Sequence, residues 1–284
     1  MKVKRNIIWL VSYPKSGNTW LRILLTNYLS DNDMPADINN LITSGIASNR
    51  NIFEEATGLN SADISLEEIE KLRPDVYRYY SGSFDENIYI KVHDANTCTG
   101  NNEKIFPPEI TRAVIYLVRN PLDVAVSFKF HSNSSFDKTT RFICNQNASF
   151  CSGSKLFNLQ LEQKLLSWNN HVKSWLNDNS YKILPVRYED LLKNTGKEFE
   201  KIIDFLDLPV DNLIINRAVN YSNFETLKKT EKENGFSEKP VNADAFFRKG
   251  IENDWVNYLT EKQVLRIRQV NREMMERFGY ISCL

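Results

Sequence analysis

Four apolar runs of strand length, at residues 7–11, 88–92, 113–118 and 181–186, recur along a chain of 284 residues with helical patterns between them. Strands that are apolar at every position have to be buried on both faces. The pattern therefore predicts an α/β fold: a central, mostly parallel sheet flanked by helices. Trp20, Leu21, Leu24, Leu25, Tyr28 and Leu29 share one helical face after the first run, and Leu161, Leu165, Trp168, Val172 and Trp175 share another. Ser65 with Glu68, and Thr260 with Gln263, read as capping boxes. The second opens a C-terminal helix carrying Val264, Ile267, Met274 and Phe278. Stretches 31–61, 132–154 and 231–244 have no period, and segments of that length are expected to wall a substrate pocket. No interdomain linker is visible, so residues 1–284 read as one domain.

Charge narrows the function classes. Lys plus Arg number 36 and Asp plus Glu number 36, which argues against a nucleic-acid partner, whose binding calls for a basic excess. It also means that any cation meeting a phosphate must be local. Lys2, Lys4 and Arg5 before the first apolar run imitate a signal peptide, but that run is too short, and no later one could span a bilayer. The expectation is a soluble, cytoplasmic protein with no membrane partner. Cys98, Cys144, Cys151 and Cys283 lack metal-ligand spacing and read as free thiols; a Cys144–Cys151 disulfide would require export. His93, His131 and His171 are not paired for a metal, so none is expected.

The first apolar run leads through Ser12, Tyr13, Pro14, Lys15, Ser16, Gly17, Asn18, Thr19 and Trp20 directly into a helix. A tight turn before a helix aims unpaired amides and the positive dipole end at one point, where an anion is stabilised. Lys15 adds a full charge, Gly17 permits close approach, and Asn18 and Thr19 offer side-chain donors. A nucleotide kinase is the rival reading. Its GxxxxGK[ST] loop places lysine after the second glycine, however, whereas Lys15 precedes Gly17, and the third apolar run ends in Arg119 rather than a magnesium-binding aspartate. After Arg119, Asn120 can cap a helix, Pro121 suits its first position and Asp123 complements its positive end. Arg119 would then sit at the carboxyl edge of the sheet, where open α/β folds bind ligands, with Ser127 two turns along the same helix. His93 ends the second run, and an imidazole there can accept a hydroxyl proton near neutral pH.

Together these residues resemble the sulfotransferases that use 3′-phosphoadenosine 5′-phosphosulfate, especially the cytosolic type. Residues 13–21 look like the family's 5′-phosphosulfate loop, residues 116–127 like its 3′-phosphate motif, and Phe247, Arg248, Lys249 and Gly250 with Asp254 and Trp255 like its C-terminal signature. The resemblance implies a metal-free transfer of a sulfuryl group to the hydroxyl or amine of a small-molecule acceptor, with His93 as base. Lys15 would meet the leaving group and Lys91 the sulfuryl oxygens. Arg119, Ser127, Arg248, Lys249 and Gly250 would hold the 3′-phosphate, and Trp20, Tyr188, Ser222 and Phe224 the adenine. Ser127 would compete for Lys15 until the acceptor is bound. A nucleotide-binding module without catalysis is the remaining alternative.

Some positions depart from the family pattern. Asn18 replaces a threonine and Asn253 a glycine, the latter at a place where asparagine tolerates left-handed geometry. Val256 and Glu261 break the animal dimer pattern, leaving the oligomeric state open; together with the shorter chain they look more like bacterial members of the family. Asp94 beside His93 favours a polar or cationic acceptor, such as a natural product. Phe53, Tyr79, Tyr80, Phe84, Phe136, Phe142 and Phe150 are the candidate aromatic walls.

Overall fold

The computed structural model describes residues 4–30, 33–152 and 158–282; Lys2 and Cys283 lie outside this range. In chain order the elements are β1 (Ile7–Ser12), α1 (Asn18–Leu29), β2 (Ser44–Ile46), α2 (Arg50–Thr57), α3 (Leu66–Gly82), β3 (Ile88–Val92), β4 (Thr111–Val118), α4 (Pro121–Ser132) and α5 (Phe136–Ile143). They continue with β5 (Ser149–Phe150), β6 (Gln163–Lys164), α6 (Trp168–Leu176), β7 (Ile183–Arg187), α7 (Tyr188–Lys193), α8 (Thr195–Phe205), α9 (Asn212–Tyr221), α10 (Phe224–Asn234), α11 (Glu261–Val270) and α12 (Arg272–Arg277).

Strands β2-β3-β1-β4-β7 form one parallel sheet, as the apolar runs predict. Alternation divides each strand between two cores. Ile7, Trp9 and Val11 of β1, with Val114, Tyr116 and Val118 of β4, face α3, α4, α6 and α11. Ile8 and Leu10, with Ala113, Ile115 and Leu117, face α1, α8 and α9. Each fully buried side chain of this size contributes roughly 1.5–3 kcal/mol, which is why a strand needs apolar residues at consecutive positions to be covered on both sides.

Register then positions the site. Val11 of β1 pairs with Val92 of β3 and Tyr116 of β4, so the residues that follow these strands emerge at one edge of the sheet. That edge carries Lys15, His93 and Arg119.

Local differences from expectation have physical causes. Stretch 31–61 holds β2 and α2, and 132–154 holds α5; elements of three to eight residues are too short to show a period. α6 begins only at Trp168, where Ser167 caps it, while Leu161 and Leu165 reach the same core from the irregular chain before it. The C-terminal helix breaks at Asn271, whose amide donates to the Ile267 carbonyl and whose Oδ1 accepts the Asn169 N–H. Both expected capping boxes form, and Asn120 caps α4. Cys98, Cys144 and Cys151 are free thiols. Among the described residues no helix is long and apolar enough to cross a membrane.

Candidate active site

A cavity of about 840 Å³ opens at the carboxyl edge, lined by Lys15, Gly17, Asn18, Thr19 and Trp20 from the turn and α1, Lys91 and His93 from β3, and Arg119 and Ser127 from β4 and α4. Tyr188, Phe224, Arg248, Lys249 and Gly250 complete that side. Parts of all three aperiodic stretches line it too, including Ile46, Asn49, Phe150 and Glu238.

The turn needs its glycine. Lys15 and Gly17 have φ of 70° and 101°, and a Cβ on Gly17 would stand 2.7 Å from Tyr188 Cδ2. Ser16 Oγ is buried within this turn without a hydrogen-bond partner. Asn18 turns inward: its amide donates to the Leu10 carbonyl at 2.7 Å, which leaves the backbone N–H groups of the first helical turn, rather than its side chain, to meet an anion.

Arg119 donates to the Lys15 carbonyl at 3.2 Å and lies over the Tyr188 ring, its guanidinium carbon 4.2 Å from the centroid. Arg248 and Lys249 are both paired with Asp254, at 2.6 and 2.8 Å. Gly250, with φ of 62°, lies so close to Phe224 that a Cβ would come within 2.5 Å of its ring. Asp123 ties two motifs together by accepting the Asn253 and Trp255 N–H groups, with Asn253 in left-handed geometry at φ 60°. Burial raises the Asp123 pKa. Ser222 does not reach the cavity. It is fully buried, and its carbonyl accepts the Trp20 indole N–H at 2.9 Å, so it orients Trp20.

His93 has one defined tautomer. Its Nδ1 lies 2.9 Å from the Ser12 carbonyl, which can only accept, so Nδ1 carries the proton and Nε2 keeps a free lone pair. Behind it, His171 donates from Nε2 to the His93 carbonyl at 3.0 Å and accepts a hydrogen bond from the Tyr116 hydroxyl at Nδ1. Burial first, then Lys91, hold the His93 pKa well below the usual histidine range, so the ring is neutral at neutral pH. Burial lowers His171 to about 4, in keeping with a structural role.

The cations have partners that sequence reasoning did not identify. Lys15 Nζ is 3.0 Å from His131 Nδ1, one turn of α4 beyond Ser127, so the residue that engages Lys15 is His131. Glu238 spans Arg22 at 2.5 Å and Lys91 at 2.9 Å and accepts the Thr19 hydroxyl at 3.2 Å. Burial raises the Glu238 pKa, but Lys91 and Arg22 outweigh it and hold the carboxylate at about 2. Burial, reinforced by Lys91 and Arg119, lowers Lys15 to about 7. Arg22 is buried in α1 among Asn18, Thr19 and Thr26, a polar strip beside the apolar face, and nothing local marks Glu238.

Two expectations about the acceptor end are corrected. Asp94 points away from the cavity into a buried pair with Arg73 at 2.7 Å, so it offers nothing to a polar or cationic acceptor. Of the candidate aromatic walls only Phe150 lines the cavity; Phe128, Phe246 and Phe247 line it as well, while Phe53 is core and Tyr79 and Phe84 are exposed. Phe142 packs behind, stacked on Phe128 and Phe150.

A parallel α/β sheet whose edge gathers a left-handed turn opening a helix, several half-buried cations and a neutral imidazole has the architecture of an enzyme that handles an anionic ligand beside a base. The profile of a family described as "Sulfotransferase domain" matches residues 5–279, and the chain belongs to that family of enzymes. Sulfotransferase 1B1 of Mus musculus is 28% identical over 275 residues, covering 94% of this chain and 82% of the relative. Sulfotransferase 2A1 of Homo sapiens is 31% identical over 168 residues, 57% of this chain and 56% of that one. Among solved structures, a mouse sulfotransferase complexed with PAP superposes with a TM-score of 0.60 at 22% identity, covering 96% of this chain and 85% of that one. A retinol dehydratase complexed with retinol and PAP gives 0.64 at 19%, covering 97% and 83%. At such identities these superpositions speak for the fold.

Proposed function

We propose that this sulfotransferase transfers a sulfuryl group from 3′-phosphoadenosine 5′-phosphosulfate to a hydroxyl group of a small, largely apolar acceptor. The observation that carries the reading is the convergence of Lys15, Lys91, Arg119 and His93 on one cavity. The donor fits the residues present. The orphaned Ser16 hydroxyl, the free amides opening α1 and the cradle under Gly17 suit a phosphate, and Arg119, Arg248 and Lys249 suit a second one. The kinase alternative gives way to the family match.

When bound, the donor supplies the sulfuryl group and its phosphate leaving group. The chain's part is to orient and to move one proton. Lys15 and the turn amides stabilise negative charge at the bridging oxygen, and Lys91 neutralises the sulfuryl oxygens. His93, oriented by Ser12 and braced by His171, takes the acceptor's proton at Nε2. Trp20, Tyr188 and Phe224 offer faces for adenine stacking.

Phe128, Phe150, Phe246, Ile46 and Leu159 make the acceptor end apolar, with the carboxamides of Asn49, Gln160 and Gln163 beside them. The retinol dehydratase of similar fold has been solved with retinol and with androsterone, both apolar alcohols. The test is transfer of ³⁵S from labelled donor to a panel of phenols, sterols and long-chain alcohols. Labelled product is expected; no transfer to any hydroxyl acceptor, with amines labelled instead, would overturn the acceptor class.

Glu238 has a separate consequence. Its carboxylate occupies Lys91 and Arg22, the charges an anionic donor would use. A unit negative charge beside Lys91 opposes an anion there by about 1 kcal/mol or more, so Glu238→Gln is expected to bind 3′-phosphoadenosine 5′-phosphate more tightly, by roughly fivefold or more. Calorimetric titration checks this; weaker binding would mean that the carboxylate instead holds the site together.

A further inference from the structure

We propose that His131 is a positioning residue for Lys15: its imidazole Nδ1 takes a hydrogen bond from the Lys15 ammonium and holds that cation over the phosphate turn. The inference rests on the donor reading above and adds to it a residue that none of the three sulfotransferase-like motifs contains.

Geometry carries it. Lys15 leaves the turn from a left-handed backbone, its Nζ 3.0 Å from His131 Nδ1 and 4.3 Å from the centroid of the Phe246 ring. Phe246 in turn meets the His131 ring edge to face, with centroids 5.8 Å apart. An ammonium on four torsions is thus fixed between an acceptor and an aromatic face before any ligand arrives, so much of the rotamer entropy that a lysine loses when ordered is already lost in the free protein.

The chemistry of the partner matters as much as its place. Lys15 is faced by Lys91 from β3, Arg119 at the end of β4, Glu231 from α10 and Glu238 from the segment after it. The two nearby cations disfavour its charge. A carboxylate partner would restore the charge only by cancelling it, and would repel the donor, as Glu238 does beside Lys91. A neutral imidazole accepts the proton donor without cancelling anything. His131 stays neutral throughout the physiological range, since burial, then Lys15 and Lys91, hold its pKa near 3. It can therefore be a hydrogen-bond acceptor and not a competing cation.

The consequence is a basic limb. Lys15 loses its proton near pH 7 in the free protein, so anion binding weakens as pH rises above that value. Removing the acceptor favours the neutral amine and moves the limb to lower pH. The experiment is calorimetric titration with 3′-phosphoadenosine 5′-phosphate from pH 6 to pH 9 on the wild type, His131→Phe and His131→Asn, with a melting curve for each. One net hydrogen bond corresponds to roughly fivefold, so His131→Phe should bind about that much more weakly at pH 8, nearly normally at pH 6, with its limb displaced downward. His131→Asn, whose Oδ1 stands near the Nδ1 position, should restore most of the loss. An unmoved limb in His131→Phe, a loss equal at both pH values, or an asparagine variant no better than phenylalanine would each overturn the proposal. If the wild type itself fails to bind the nucleotide, the donor reading falls and takes this inference with it, an outcome distinct from the other three.

Discussion

His93→Ala is expected to lower kcat by about 10²- to 10⁴-fold, the usual contribution of a positioned general base, while nucleotide affinity stays close to that of the parent. The expectation follows from how the ring is held. Ser12 fixes the proton on Nδ1 and His171 fixes the backbone carbonyl behind it; Ser12 Oγ keeps its bond from Asn18 at 3.3 Å and the His171 ring its edge contact with Tyr13, neither of which runs through the His93 imidazole, so losing that ring removes the proton acceptor while these supports of the turn stay in place. The low pKa sharpens the test. With the free ring neutral throughout the working range, kcat/KM should have no acidic limb near pH 6.5, and its decline should come only at distinctly lower pH. Steady-state kinetics with labelled donor, alongside calorimetry, reads both. Full turnover in His93→Ala would remove the base assignment while leaving the fold and family untouched.

Lys15→Met is expected to cost about 10²- to 10³-fold in kcat/KM, comparable with removing one preorganised donor from a developing oxyanion. Unlike His93→Ala, it should also weaken nucleotide binding and flatten the basic limb. The sign follows from burial. A lysine held at about 7 is an ammonium below that pH and an amine above it, and only the ammonium attracts the anion, so wild-type affinity falls as pH rises through 7 and beyond. Methionine carries no titrating group and should bind with little pH dependence in that range. A variant that loses turnover yet retains the wild-type limb would assign the titration to another group, with Lys91 the nearest, since burial lowers its pKa as well.

The two loci differ in how readable they were. The phosphate turn was legible because everything it needs is local: a left-handed glycine, a lysine two residues before it and a helix starting immediately after. Asn120 and Pro121 opening α4, and Asn253 in left-handed geometry, were legible for the same reason. Roles that depend on where a side chain turns were not. Asp94 follows His93 in the chain, yet the alternation at the end of β3 sends it to Arg73 while His93 borders the cavity. Ser222 sits within an aromatic-rich stretch but is turned under Trp20. Nothing within a few residues of His131 marks it as the partner of a lysine more than a hundred positions away.

By itself the sequence determined the parallel sheet, the two helix-opening turns and the residues offered at the carboxyl edge, because strand burial, caps and turn geometry are set by neighbours along the chain. Only the tertiary structure decided how the charges are paired. Lys15 with His131, Lys91 and Arg22 with Glu238, and Arg248 and Lys249 with Asp254 are choices made by long, flexible side chains in a confined space. In such a space electrostatic energy depends on distance and desolvation, neither of which the order of residues specifies.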